Sequence, residues 1–284
     1  MSESIKVPNL HWTRPSFLNL PEYDSRSVKT FLLLFLTIST AFLTVWQTSL
    51  YFGAVIEIDK QRLALQEATV HAADLLARTL KTYSADLKIL VLGQDLKRLV
   101  NGDTRAQRDV TRDFEILASQ KPDILQIRYI DKDGNEIIRI DRHDRDVRIV
   151  GDNLLQNKAD RYYFQQAVAI RDNGIYVSPI DLNVEHGVIE EPWRPVLRLA
   201  APLTAADSSN AGIVVINIAA APLIANLERV RPAGTAPIQM LNEGGYWLAG
   251  VPVERLWGFM FDRKTSLALE APDVWQRIVA GYHG

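Results

Sequence analysis

The stretch Tyr176–Arg198, YVSPIDLNVEHGVIEEPWRPVLR, sets Asp181, Asn183, Glu185, Glu190 and Glu191 between two strand-like ends, followed by Trp193 and two arginines. Paired carboxylates can work as general acid and base. Glu190 and Glu191 are adjacent, and Asp181 and Glu185 are four apart. Acidic loops are far more often simply solvated, so this spacing does not select catalysis. The flanking strands carry a second set of polar groups. With a period of two, Gln126 and Arg128 share a face opposite Ile127 and Tyr129, and Arg139 shares a face with Ile137. Tyr176 pairs with Ser178, and Arg198 with Val196 and Ala200. A guanidinium offers a planar donor fork that matches a carboxylate, and Tyr and Ser hydroxyls can orient it. Two readings stay open. This face lines a ligand pocket covered by the loop Asp181–Trp193, or it is the solvated face of an antiparallel sheet.

Other chemistries find little support. The chain has no cysteine, which removes disulfides, thiolate zinc sites, iron–sulfur clusters and a cysteine nucleophile together. The histidines, at 11, 71, 143, 186 and 283, show no metal-ligand spacing. There is no GxSxG, P-loop or GxGxxG, so neither a metal nor a cofactor is expected. The run Arg139–Arg148, RIDRHDRDVR, alternates basic residues with aspartates and reads as a surface loop. With a formal net charge of −2, nucleic acid is not an expected partner.

The elements that position these groups begin with a membrane segment. From Thr30 to Ile56 no residue is charged, and roughly 20 mostly apolar residues suffice to cross a bilayer. Trp46 and Tyr51 sit near one end, as interfacial aromatics do. Arg14, Arg26 and Lys29 precede the span and Lys60 and Arg62 follow it, which places residues 1–29 on the cytoplasmic side and most of the chain outside. Residues 57–103 read as a long stalk helix, with Leu65, Ala68, Ala72, Leu76, Leu80, Tyr83 and Leu87 on one stripe. That stripe packs on its own domain, on a second copy of itself, or on each at different heights. Residues 104–230 then read as a helix (Thr104 to about Ser119), a hairpin around Asp133–Gly134, a short helix, three strands and a connecting helix. Sequential antiparallel strands with helices on one side give an α+β class. Residues 231–284 repeat the start of this order. They comprise a hairpin at Gly244–Gly245, a further strand in WGFMFDR and a short helix with Trp275 inward. The repeat stops before the strands that would close a second sheet, so the second module is expected to be truncated or degenerate.

The segments IRYIDKDGNEIIRIDR, LLQNKADRYYFQQAV, GIYVSPIDLNVEHGVIEEPWRPVLRLAAPL and GIVVINI, behind a signal anchor and a long helix, resemble the double Cache family. These are the extracytoplasmic PAS-like sensor regions of bacterial histidine kinases, diguanylate cyclases and chemoreceptors. The resemblance covers roughly residues 30–284. It implies a bacterial inner-membrane location and a ligand pocket in the membrane-distal module, between the sheet and the short helix and loops over it. Amino-acid-binding relatives carry R-x-W-Y in that helix. Here Arg161 is kept, while Tyr163 and Phe164 stand for the Trp and Tyr. The expected ligand residues are Arg161, Tyr163, Tyr176, Ser178, Asp181 and Arg198, with Arg128 and Arg139 as weaker candidates. The expected function is a sensor for a small polar ligand, a carboxylate or an amino acid, as a homodimer through the stalk helix. No kinase or cyclase motif occurs, so the output reaction is expected to lie elsewhere. The alternative is a module that binds a periplasmic partner protein and has no small ligand.

Overall fold

The computed structural model describes residues 24–281 apart from 145, 172–173, 186 and 233–236. Most of the expected cytoplasmic segment 1–29, and histidines 11, 186 and 283, lie outside the described residues. The chain divides into two compact units, one up to Arg62 and one from Leu63.

The first helix, α1 (Ser25–Leu92), contributes to both units. In the first unit its apolar side chains are exposed, for example Phe31 at 65% and Phe42 at 67%. This stretch is long and apolar enough to cross a membrane. Thr37 and Thr40 turn their hydroxyls back to the carbonyls of Leu33 and Leu36, at 2.9 and 2.8 Å. Those two hydroxyls are thereby satisfied within the helix itself.

In the second unit, the stalk helix expected over 57–103 breaks at Gly93, whose ψ of 138° is extended. A short helix α2 (Gln94–Val100) follows, then α3 (Gln107–Gln120) after a tight turn at Thr104–Ala106. Val110, Phe114 and Ala118 recur every fourth residue on α3 and are buried. Seven strands form one antiparallel sheet. They are β1 (Ile124–Ile130), β2 (Glu136–His143), β3 (Asp146–Ile149), β4 (Tyr176–Val177), β5 (Asp181–Leu182), β8 (Pro195–Thr204) and β9 (Asn210–Ala219). Their order is β3-β2-β1-β9-β8-β4, with β5 also on β8. Helix α4 (Tyr162–Val168) precedes β4, and the hairpin β6 (Val184–Glu185) and β7 (Val188–Ile189) lies between β5 and β8. The β1–β2 turn falls at Asp133–Gly134, as expected. Asp131 Oδ1 accepts from the amides of Asp133 and Asn135, at 2.9 and 2.8 Å. Gly134 has φ +85°, and a Cβ there would lie 2.5 Å from the Ala159 Cβ, so only glycine fits.

Register divides the sheet into the two expected faces. Ile127 faces Ile140 and Ile216, Tyr129 faces Ile138, and Leu199 faces Ile216. This apolar face packs with Tyr83, Leu87 and Leu90 of α1 and with Val110 and Phe114 of α3 into the main core. On the other face Gln126 and Arg198 both face Asn217, and Arg128 faces Arg139. Helices therefore cover both sides rather than one. Tyr163, Phe164 and Ala167 of α4 close over the second face, with Ala200 and Val215 beneath them.

Two further expectations are corrected. Arg139–Arg148 is not a surface loop, because it supplies the end of β2 and most of β3. Arg142 within it is buried, donating to the carbonyls of Ile124 and Ala118, where it caps the C-terminal end of α3. WGFMFDR is not a strand: Trp257 adopts φ 58° and starts a tight turn at Gly258–Met260. The rest of that segment follows expectation. After α5 (Ala221–Arg229), β10 (Met240–Leu241) pairs with β11 (Trp247–Ala249), and α6 (Leu267–Glu270) leads to α7 (Pro272–Gly281), where Trp275 is half-buried. Leu248 and Trp257 join the main core, and Trp193 packs on Phe261 with ring centroids 4.9 Å apart.

Candidate functional site

The polar face of the sheet is buried, which excludes the solvated alternative. Arg198 is 2% exposed, Arg128 3%, Arg139 7% and Asn217 1%. A buried charge is tolerable only when paired and hydrogen-bonded, and each one is. Arg198 Nη1 lies 2.5 Å from Asp181 Oδ1 and donates to the Tyr162 hydroxyl at 3.2 Å. That hydroxyl donates to Asp181 Oδ2 at 2.7 Å. Ser178 serves the backbone, its Oγ accepting from the Arg198 amide at 2.9 Å. Arg128 Nη1 reaches Glu136 Oε1 at 3.2 Å and the Tyr163 hydroxyl at 3.3 Å. The two guanidinium groups flank the Tyr163 ring, 5.2 and 5.7 Å from its centroid, within cation–π range. The Nε atoms of Arg128 and Arg198 are buried without a hydrogen-bond partner.

A second cluster adjoins the first. Arg139 donates twice to Asp141, at 2.8 Å each, and lies 3.6 Å from Glu136 and 3.4 Å from Glu185. Glu185, on the β6–β7 hairpin, also accepts from Gln126 at 3.0 Å and lies 3.9 Å from Lys158. Burial pushes the Glu185 carboxyl up, but Arg139, Gln126, Arg128 and Lys158 together outweigh it and hold it at about 2. Burial, then the neighbouring Arg128, push the Lys158 ammonium down. Burial and the facing Asp181 raise the Tyr162 phenol against the opposing pull of Arg198. The cations Arg128, Arg139, Lys158 and Arg198 are thus matched by Glu136, Asp141, Asp181 and Glu185.

Of the expected ligand residues, the structure brings together Tyr163, Ser178, Asp181, Arg198 and Arg128, with Arg139 beside them. Arg161 stands at the start of α4, where its carbonyl accepts from the amides of Phe164 and Gln165. Tyr176 packs as an apolar ring against the α4 cluster. Sequence reasoning missed Tyr162, Glu136, Lys158 and Asn217. Asn217 had a legible signal, since it interrupts the apolar run GIVVINIA at a polar-face position. Glu136 and Lys158 had none, because their partners lie on other elements.

Residues 81–284 match the family described as bacterial histidine kinase, sensor domain. Among solved structures, a domain of a sensory box/GGDEF family protein from Vibrio parahaemolyticus superposes with a TM-score of 0.63 at 20% identity, covering 76% of this chain and 81% of that one. The extracellular domain of a protein described as a histidine kinase gives 0.62 at 21% identity, with coverage of 76% and 77%. A methyl-accepting chemotaxis protein gives 0.56 at 14%, with coverage of 78% and 84%. At these identities the likeness is one of fold, and it agrees with the Cache-type architecture expected from the sequence. No curated protein sequence is similar enough to match the chain.

Proposed function

The chain belongs to the family of bacterial histidine kinase sensor domains, and from that premise we propose that it is the membrane-anchored, extracytoplasmic input region of a receptor for a small polar ligand. The ligand, a carboxylate or an amino acid, binds against the buried polar face beneath α4. What carries this reading is the pair of buried Nε–H donors, on Arg128 and Arg198, that flank Tyr163 and have no acceptor. A carboxylate supplies strong, directional acceptors for such donors. Asp181 is the acceptor that a ligand ammonium would share. A sensor domain is not an enzyme, so Asp181, Glu185 and Glu190 act by binding and positioning. Residues 30–56 of α1 form the membrane span with the N-terminus cytoplasmic, and the helix beyond it pairs in a homodimer. Ligand binding favours one of two arrangements of the pocket and passes that bias along α1.

The test is a thermal-shift panel of small carboxylates and amino acids on the full chain in detergent. A ligand of the right class raises the Tm, and Arg198→Ala abolishes the rise. A rise that persists undiminished in the variant places the ligand elsewhere. Should Arg198→Ala not fold, Tyr162→Phe gives the same comparison with the cation in place. One observation favours a second reading, a partner-protein module without a small ligand. Arg198 Nη1 and Asp181 already pair with each other, and a panel that leaves the Tm unmoved favours that module.

A further inference from the structure

Glu185 stands on the β6–β7 hairpin, whose strands pair with each other and not with the seven-stranded sheet. Its carboxylate nonetheless collects donors from three other parts of the fold. Oε1 accepts from Gln126 Nε2 of β1 at 3.0 Å. Oε2 accepts from Gln156 Nε2 at 3.4 Å and lies 3.4 Å from Arg139 Nη2 of β2 and 3.9 Å from Lys158 Nζ. Gln156 and Lys158 come from the connection between β3 and α4. Gln126, Arg139 and Lys158 are buried, whereas the Glu185 side chain is 22% exposed. The donors are thus built into the domain, and the carboxylate reaches them from the rim.

The charges here balance only with Glu185 included. Arg128, Arg139 and Lys158 face Glu136, Asp141 and Glu185. Among the described residues, Glu185 is the one carboxylate within 4 Å of Lys158. Without it three buried cations face two carboxylates, and a buried cation left unpaired is costly. An anion is what this set of donors demands. Against the cost of burial, the same surroundings hold the Glu185 carboxyl at about 2. Arg139 and Gln156 also line an open cleft of about 310 Å³, none of whose lining residues belongs to α4. The donors therefore have an approach from solvent apart from that helix.

We propose that Gln126, Arg139, Gln156 and Lys158 form a second binding site, for a small monocarboxylate, which Glu185 fills as a tethered stand-in. A free carboxylate takes this place when Glu185 turns its side chain out to solvent. Glu136 and Asp141 are paired to the same cations, so a second negative charge on the ligand is opposed. The site uses neither Arg198 nor Asp181 and stands apart from the proposed pocket beneath α4.

The experiment is thermal unfolding of the full chain in detergent, wild type and Glu185→Ala, in sodium acetate against sodium chloride at equal ionic strength. The substitution deletes a CH₂–COO⁻ group, and acetate brings back the same atoms. In chloride Glu185→Ala melts below the wild type. Acetate restores it saturably, by about 3–5 °C for each tenfold rise above half-saturation. In the wild type the tethered carboxylate competes, so half-saturation needs at least about tenfold more acetate. Lys158→Met added to Glu185→Ala balances the charges again and abolishes the rescue. Should Glu185→Ala not fold in chloride, refolding from urea in the two salts gives the same comparison, with folded protein recovered in acetate alone. Equal Tm or equal refolding in the two salts overturns the site, and so does a rescue that survives Lys158→Met. An acetate effect with the same half-saturation in wild type and Glu185→Ala also overturns it and assigns the acetate to the Arg198 pair, so the two readings fail separately.

Discussion

Single side chains on the polar face carry consequences that solution measurements can reach. Glu185 is held at about 2, below its ordinary 4.5. A depressed carboxyl adds stability above its unfolded value and loses it as pH falls through the folded one. Between about pH 4.5 and pH 2 the unfolded chain therefore binds up to one extra proton at this position. Urea unfolding at pH 5, 4, 3 and 2 reads this directly, and Glu185→Gln flattens the dependence in that window. Identical slopes in the two proteins would show that the carboxylate is not held as described. Arg198→Ala leaves Asp181 buried with only the Tyr162 hydroxyl, and removing one partner of a buried ion pair costs about 3–5 kcal/mol. Tyr162→Phe removes a hydroxyl bonded to both members of that pair and costs about 1–2 kcal/mol. Much of this site was legible residue by residue. Period-two alternation put Arg128, Arg139 and Arg198 on one face, and that is where they lie. Their countercharges were not legible, because Glu136 and Glu185 meet them only through strand pairing and a hairpin folded back over the sheet.

At the level of elements, the turn chemistry and the apolar stripes set the frame. Gly134→Ala forces a side chain into φ +85° and against Ala159. The loss exceeds about 1 kcal/mol and appears as a lower denaturation midpoint with an unchanged m value. Phe114, 1% exposed between α3 and the sheet, contributes about 3–5 kcal/mol when measured by Phe114→Ala. The Asp133–Gly134 hairpin, the alternation in β1 and β2 and the i, i+4 spacing in α3 are local signals, which is why the sequence announces them. RIDRHDRDVR misled for a physical reason. Alternating charges read as a solvated loop, yet the register folds Arg139 onto Asp141 and sends Arg142 to the end of α3. WGFMFDR misled because its apolar run matches a strand, while Trp257 turns the chain by its left-handed backbone. Gly93 was visible as the first glycine of the stalk, and α1 stops just before it, at Leu92.

For the whole molecule, the proposed membrane anchoring rests on the first unit, whose helix is long and apolar enough to cross a bilayer. Leu43→Arg puts a guanidinium near the middle of the apolar stretch, at a cost of about 2.5–3.5 kcal/mol of insertion free energy. A membrane-insertion assay of the full chain detects this as a loss of membrane-integrated protein. The second unit holds its parts together through aromatic contacts as well as through the sheet. Trp193 lies in the connection between the acidic hairpin and β8, one residue from Arg194, and its ring packs on Phe261 from the C-terminal segment. The indole is therefore an optical gauge already built into the protein. Its emission wavelength follows the polarity around the ring. If occupancy of the sheet's polar face displaces this connection, the emission shifts to the red as Trp193 leaves Phe261 for water. Because the chain holds six tryptophans, ligand arrival is timed by stopped-flow fluorescence as the difference from Trp193→Phe, with Phe261→Leu as the reference that lacks the ring contact.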